Sequence, residues 1–397
     1  MNRESADRWL LRATAGLLLV QLILGVAFTG MVRGEDFLIA QGLTVLLIIL
    51  WIARLWVNRS LEIYFPPAAW GVVAFTVLTL IWTFQADIAY VARTEFLRAL
   101  VYTVVFATAL HCFRSRSSIR TLVFTLLALA LINAIYAGYQ TAIDPDHVWH
   151  FERPAEYGYG RRGSGFFINP NNLAILLAMI LPIVLAFAMV SRLKHVPKIF
   201  LGYASLVLVV GIGLTLSRGG WIATSASMLL FFIALVRMRS FRAHAIIAMV
   251  TIVCLGGFFI SQSEMGKKRL ENAIQSGPQG NIRIHIWETA WDMWSDNPWV
   301  GVGPGHFDVR YREYRAKMMQ ARPERAHNDY LNTLADLGAI GLAIILATLG
   351  AAFLGIRRSW SQLRESLGDG SAVRSDRLAL TLGVSTAMAA MLFHAVF

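Results

Sequence analysis

Eleven apolar runs, each close to the roughly 20 residues that cross a bilayer core, leave this 397-residue chain little choice of fold. They fall at about 9–31, 36–53, 67–86, 95–112, 120–142, 172–190, 199–216, 219–236, 244–262, 331–355 and 378–397. Backbone N–H and C=O groups in hydrocarbon must pair within the protein, and helices do this segment by segment. The pattern therefore predicts an all-α polytopic membrane protein of 11–12 transmembrane helices. With 56% hydrophobic and 15% charged residues, a soluble globular chain is excluded. The reading is one membrane domain over 1–397, without a separate soluble catalytic domain. The first run is long and lacks a small-residue cleavage site, so it reads as a retained helix. Cys112 and Cys254 both fall inside apolar runs, and no metal-type spacing exists.

Basic residues orient the spans. Short loops rich in Lys and Arg stay cytoplasmic. Arg3, Arg8 and Arg12, Arg54 and Arg59, Arg114, Arg116 and Arg120, Arg192, Lys194 and Lys198, Arg237, Arg239 and Arg242, and the group Arg357, Arg358, Arg364, Arg374 and Arg377 occupy alternate connections. These are nineteen of the 36 basic residues. The N-terminus is thereby inside, and much of the +12 net charge is topology rather than a nucleic-acid footprint. Eleven spans leave the C-terminal FHAVF outside, from which a twelfth helix is expected.

The other side carries two long segments, 143–171 and 263–330. The longer holds Lys267, Lys268, Arg269, Arg283, Arg310, Arg312, Arg315, Lys317, Arg322 and Arg325. Nucleotides are not available on that side, and no P-loop or Rossmann glycine pattern occurs. Trp287, Trp291 and Trp294 recur at i, i+4, i+7, with Arg283 one turn earlier on the same face. This predicts an amphipathic helix at the membrane–water interface. Asn297-Pro298 ends it, and Gly301, Gly303 and Gly305 mark turns. A second amphipathic helix follows, with Phe307, Tyr311, Tyr314 and Met318 on one side. Arg310, Arg312 and Arg315 read as a solvated basic surface. The shorter segment is rich in Gly, Pro and aromatics and carries Arg161-Arg162.

Three spans that run inward begin with polar signatures: FINPNN, LSRGGW and RAHNDY. In the second, Ser217 is a natural N-cap, Arg218 opens the helix, and Gly219-Gly220 allow close backbone approach. Helix N-termini present unpaired N–H groups and a positive dipole end, which bind phosphates. An arginine at that depth needs an anionic partner or water, so Arg218 is a functional-site candidate. His327, with an ordinary pKa of about 6.5, sits on the aqueous side where it can accept a proton. If the three starts converge, arginines for a diphosphate stand beside a histidine.

These pieces resemble the O-antigen ligase family, within the superfamily of O-antigen ligases, O-antigen polymerases and protein O-oligosaccharyltransferases. The matching stretches are SRGG at 217–220, the Arg283–Phe307 pattern R…W…A…M…NP…G.GPG.F, HNDYLNTLADLGAIGL from 327, and NPNNLA at 169–174. The resemblance covers about 170–345. It implies an inverting, metal-independent glycosyltransferase with no cofactor, at the periplasmic face of the bacterial inner membrane. The donor would be O-antigen glycan on undecaprenyl diphosphate, and the acceptor a sugar hydroxyl of lipid A-core. In that scheme His327 is the general base, and Arg218 and Arg283 bind the diphosphate. Arg161, Arg162, Arg325, Asp329 and Ser217 stand as further binding residues, with Asp329 able to orient the histidine. Polymerisation of O-antigen repeats or transfer to protein Ser/Thr would use the same donor site. The basic outer segment favours an anionic acceptor and hence a ligase. A transporter would bury its charges at the bilayer midplane, whereas these spans are nearly free of charge.

Overall fold

The computed structural model describes residues 2–149, 151–153, 158–262, 267, 271, 282–315, 323–367 and 374–396. Lys268, Arg269, Lys317, Met318 and Arg322 lie outside the described residues. Thirteen α-helices occur among the described residues: α1 Arg3–Ala27, α2 Gly34–Val57, α3 Pro67–Thr83, α4 Ala89–Cys112, α5 Arg116–Ala142, α6 Pro170–Val190, α7 His195–Leu214, α8 Arg218–Val236, α9 Arg242–Gln262, α10 Ile282–Asp296, α11 Phe307–Tyr314, α12 Asp329–Leu367 and α13 Asp376–His394. Ten are long and apolar enough to cross a membrane, and α3 is a shorter apolar helix of 17 residues. The protein is an all-α polytopic membrane protein. Each of the eleven apolar runs falls on one of these helices, with α10 and α11 between α9 and α12.

Local chemistry sets the helix starts. Ser115 and Ser118 form a reciprocal capping box at α5. Asn169 Oδ1 accepts from the Asn171 N–H at 2.9 Å, with Pro170 in the first turn of α6. Ser217 Oγ accepts from the Gly220 N–H at 3.1 Å at α8.

The main core joins α5, α6, α7, α8 and α13 around Leu173, Leu177, Leu181, Leu208, Phe231 and Leu382. Here α13 turns a small-residue face inward: Ala379, Gly383, Thr386, Ala387 and Ala390 are all buried. Small residues let helix backbones approach closely where lipid gives no hydrophobic drive. A Cβ on Gly383 would stand 2.7 Å from the Ile183 Cα. One on Gly220 would stand 2.5 Å from the Ala174 Cβ, so α6 meets α8 as closely. A second cluster of Met31, Phe37, Ala40 and Val101 binds α2 to α4. At the end where the basic loops lie, Asp376 pairs with Arg120 and accepts the Arg192 N–H at 2.9 Å. Those contacts fasten α13 to α5 and to the end of α6.

α12 is 39 residues long, about 58 Å at 1.5 Å per residue, too long for one straight span. It breaks at Gly338, where φ is 65° and ψ is −167°, a region essentially restricted to glycine. Residues 329–337 thus form a short separate helix. Val302 N–H and Gly303 N–H donate to Ala335 O and Asp336 O at 2.8 and 3.0 Å. A Cβ on Gly338 would sit 2.3 Å from the Trp299 carbonyl carbon. Gly338→Ala is expected to cost about 1–3 kcal/mol from the backbone alone, with the clash added. Gly350→Ala, in the same helix with open space around it, is expected to be near neutral. Thermal unfolding in detergent compares the two.

Candidate active site

The site is assembled at the end of the bundle opposite the basic loops, where α6, α8 and α12 begin and α5, α7 and α13 end. Its first wall is the 158–169 stretch. Gln140 Oε1 accepts the N–H groups of Ser164 and Gly165 at 3.0 and 2.9 Å. Asn133 Oδ1 accepts the Phe166 N–H at 2.9 Å. The stretch is thereby laid against α5, and a Cβ on Gly165 would meet Asn133 Oδ1 at 2.5 Å. Arg162 is buried, donating from Nε to Thr215 O at 2.8 Å and from Nη2 to Asn171 Oδ1 at 3.0 Å. One guanidinium therefore ties the start of α6 to the turn before α8. Arg161 donates to the Thr141 and Ala142 carbonyls at 2.9–3.1 Å, capping α5. Arg153, also buried, donates to Arg162 O and Ser164 Oγ. Burial holds its guanidinium below the ordinary range.

The second wall is the start of α8. Leu216 takes a positive φ of 49°, and Ser217, buried, caps the helix. Arg218 follows, exposed, with no hydrogen-bond or ion-pair partner among the described residues. Arg283, on the first turn of α10, comes close enough for their charges to interact. Burial first, and Arg218 second, hold Arg283 below the ordinary guanidinium range. Drawing two cations together costs energy that a bound anion returns.

The third wall is the histidine corner. His327 has φ 52°, left-handed for a residue that pays for it. The corner around it is pinned at several points. Trp287 Nε1 donates to Ala326 O at 3.1 Å, and Ala326 N–H donates to Asn332 Oδ1 at 2.9 Å. Asn328 Oδ1 caps α12 by accepting from the Tyr330 and Leu331 N–H groups, both at 3.1 Å. Asp329 N–H donates to Ala395 O at 2.7 Å and Tyr330 OH to Leu392 O at 3.3 Å, joining the corner to the end of α13. The His327 ring faces solvent but is walled by protein. Burial first, and the Arg283 charge second, push its pKa below 6.5, so near neutral pH it is a free base. No hydrogen bond joins His327 to Asp329 among the described residues; the Asp329 carboxylate is exposed beside the Arg325 charge.

Behind the corner lies an ionic network. Arg325 Nη2 pairs with Glu95 of α4 at 2.6 Å and Nη1 with buried Asp336 at 3.5 Å. Burial alone would lower the Arg325 pKa; the Glu95 and Asp336 charges outweigh it and raise it. Asp336 also accepts from the Phe307 N–H at 2.8 Å and Asn332 Nδ2 at 2.9 Å. His306, fully buried, accepts the Ile88 N–H at Nε2 (3.2 Å), leaving Nδ1–H for Pro304 O at 2.9 Å.

Arg283 therefore stands within electrostatic reach of both Arg218 and His327, while the guanidiniums of Arg161 and Arg162 bind backbone and side-chain oxygens and Arg325 binds carboxylates. The spans are less free of charge than their composition suggests: Glu95 and Asp336 both lie in helices. The tryptophan stripe also divides. α10 buries Ile286, Thr289, Ala290 and Met293, Trp287 turns inward to the corner, and Trp291 is 52% exposed. On α11, Phe307 and Tyr311 are buried as the periodicity predicts. Arg310 pairs with Asp87 and Glu313 on the surface. Asp144 and Asp146 have a carboxylate-pair spacing that could hold an ion, but Asp144 pairs with His147 at 2.9 Å. No group of three or more His, Cys, Asp or Glu side chains is arranged to hold a metal ion among the described residues. A concavity of about 750 Å³ lies at the far end of α5, by Arg116, Arg120 and Phe124, and is not part of this site.

Several residues of the assembly are not among those picked out by charge at helix starts: Glu95, His306, Asn332, Asp336 and His394. Asn328, Asn332 and Asp336 follow one another at i, i+4, i+8, a polar stripe on one helix face. That stripe, and an acid at 95 within an apolar span, are legible signals. No curated protein matches the chain. Residues 203–346 match the family model described as O-antigen ligase, a stretch that contains Arg218, Arg283 and His327 and stops short of α13.

Proposed function

We propose that the protein transfers O-antigen glycan from undecaprenyl diphosphate to a sugar hydroxyl of lipid A-core, without a metal and with inversion, at the periplasmic face of the bacterial inner membrane. The observation that carries this reading is that Arg283 stands within electrostatic reach of both Arg218 and His327, the three coming from separate elements. His327 Nδ1 or Nε2 takes the proton of the acceptor hydroxyl. The acceptor oxygen bonds to the anomeric carbon from the face opposite the leaving group. The bond from that carbon to the diphosphate oxygen breaks, and its electron pair leaves with undecaprenyl diphosphate. Arg218 and Arg283 offset the charge that develops there, aided by the N-terminal N–H groups of α8. Ser217 and Arg162 hold that helix start in place. Arg161, Arg325 and Asp329 act in this reading as further binding residues, with Asp329 turned to the acceptor.

The test is transfer by the purified chain in nanodiscs containing EDTA, with undecaprenyl-diphosphate-linked glycan and one of three acceptors. Glycan on lipid A-core supports the ligase reading. Chain growth without lipid A-core makes it a polymerase, labelled peptide makes it a protein glycosyltransferase, and no transfer in any arm overturns the enzyme reading.

The pH dependence has a defined sign. The competent form of His327 is neutral, so activity is present above its pKa and lost as pH falls through it. Because burial and Arg283 depress that pKa, the acid limb of kcat/KM is expected below about 6.5. Arg283→Gln removes one of the two causes, so its residual activity is expected to fall off at a higher pH than wild type. A limb that does not move in that variant separates His327 from Arg283.

A further inference from the structure

The end of α13 brings a second histidine to the same place. His394 lies in the last helical turn, and its Nε2 is enclosed by protein with no hydrogen-bond partner among the described residues. Enclosed polar atoms are nearly always paired, and each exception calls for an explanation such as a ligand. An apolar side chain would fill the end of an apolar helix without that defect. The position is also built into the site. Ala395 O and Leu392 O, on either side of His394, accept from Asp329 N–H and Tyr330 OH at 2.7 and 3.3 Å. Arg283 acts electrostatically on His394 as it does on His327, so both histidines lie within reach of one guanidinium charge. α13 packs against α6 and α8, which puts His394 at the same end as the start of α8 and Arg218.

We propose that His394 is a further substrate-binding residue of this site, whose Nε2–H donates to a phosphate oxygen of the lipid-linked diphosphate held by Arg218 and Arg283. This rests on the reading of the site as a diphosphate-dependent glycosyltransferase. The imidazole turns from its enclosed position toward the anion, and satisfying Nε2 drives the turn. His327 handles the proton of the acceptor; His394 holds the leaving group.

The experiment compares wild type, His394→Phe and His394→Gln, as full chains in nanodiscs, in steady-state transfer from undecaprenyl-diphosphate-linked glycan to lipid A-core. Phenylalanine keeps the ring volume without the N–H, and glutamine supplies an N–H of similar reach. Phenylalanine is expected to raise the donor KM about tenfold, the value of one hydrogen bond to a charged group. It should leave kcat and the acceptor KM within about threefold, and glutamine should recover most of the loss. Binding of undecaprenyl diphosphate alone, measured on the same samples, should weaken in parallel. A phenylalanine variant with wild-type donor KM and binding reduces His394 to packing and overturns the proposal. So does a folded glutamine variant as impaired as phenylalanine. A wild-type chain that binds no undecaprenyl diphosphate and transfers nothing overturns the glycosyltransferase reading itself, and this proposal with it.

Discussion

Replacing His327 with alanine is expected to lower kcat for glycan transfer by about 10²–10⁴-fold, the usual contribution of a positioned general base. Donor binding should remain within a few fold of wild type, because Arg218 and Arg283 come from other elements and do not depend on the imidazole. The corner itself should survive. Its fastening runs through the Trp287 indole, the Asn328 and Asn332 amides and the backbone of Asp329, none of which uses the His327 ring. The left-handed φ of 52° at this position is adopted somewhat more readily by histidine than by alanine, a small cost beside the rate effect. A large rate loss with little change in thermal unfolding and unchanged donor affinity is the expected pattern. Loss of donor affinity with kcat preserved would instead make His327 a binding residue.

Asp336→Ala is expected to act in the opposite way, on stability first. The carboxylate is buried and serves four groups: the Phe307 and Gly305 N–H groups, Asn332 Nδ2 and Arg325. Removing it strands a buried backbone donor and leaves Arg325 with Glu95 as its remaining carboxylate partner among the described residues. Stranding a buried donor in this way costs about 1–3 kcal/mol, which in detergent should appear as a lowered unfolding temperature. Activity should fall as well, since Asn332 would lose its orientation and, with it, the Ala326 N–H that fixes the residue before His327. Asp336→Asn keeps an acceptor for Phe307 and should cost less than alanine. An alanine variant as stable as wild type would show that the network does not hold the corner.

These two residues also mark what could be read from the amino-acid order. Long apolar runs are a compositional signal, and each of them lies on a helix. Helix starts were equally legible, because Asn169, Ser217 and Asn328 cap them by local hydrogen bonds that span two or three residues. Arg218 and His327 stood out as charge at the lip of apolar helices. The partners of the other arginines did not. Arg325 meets Glu95 across 230 positions, and Arg162 meets a carbonyl 53 positions away; only tertiary packing creates either pair. The kink at Gly338 was hidden for a related reason. A glycine in an apolar run is ordinary in a membrane helix, and its positive φ is set by the Trp299–Gly303 turn folding over it. The period of the α10 tryptophans was visible, but the face turned to the site is set by contacts with residues 326 and beyond. His394 lies near the end of its apolar run and carries no motif, so its place within reach of Arg283 follows from the packing of α13 against α6 and α8.

The central claim is that arginines from two elements seat one diphosphate. A double-mutant cycle on the binding of undecaprenyl diphosphate tests it most directly, using Arg218→Ala, Arg283→Ala and the pair, in nanodiscs at fixed salt. Two guanidiniums on one anion are coupled, so the losses should be non-additive, with an interaction energy of about 0.5–3 kcal/mol. Strictly additive losses, or binding indifferent to both substitutions, would place the two arginines at separate tasks and contradict a single diphosphate site.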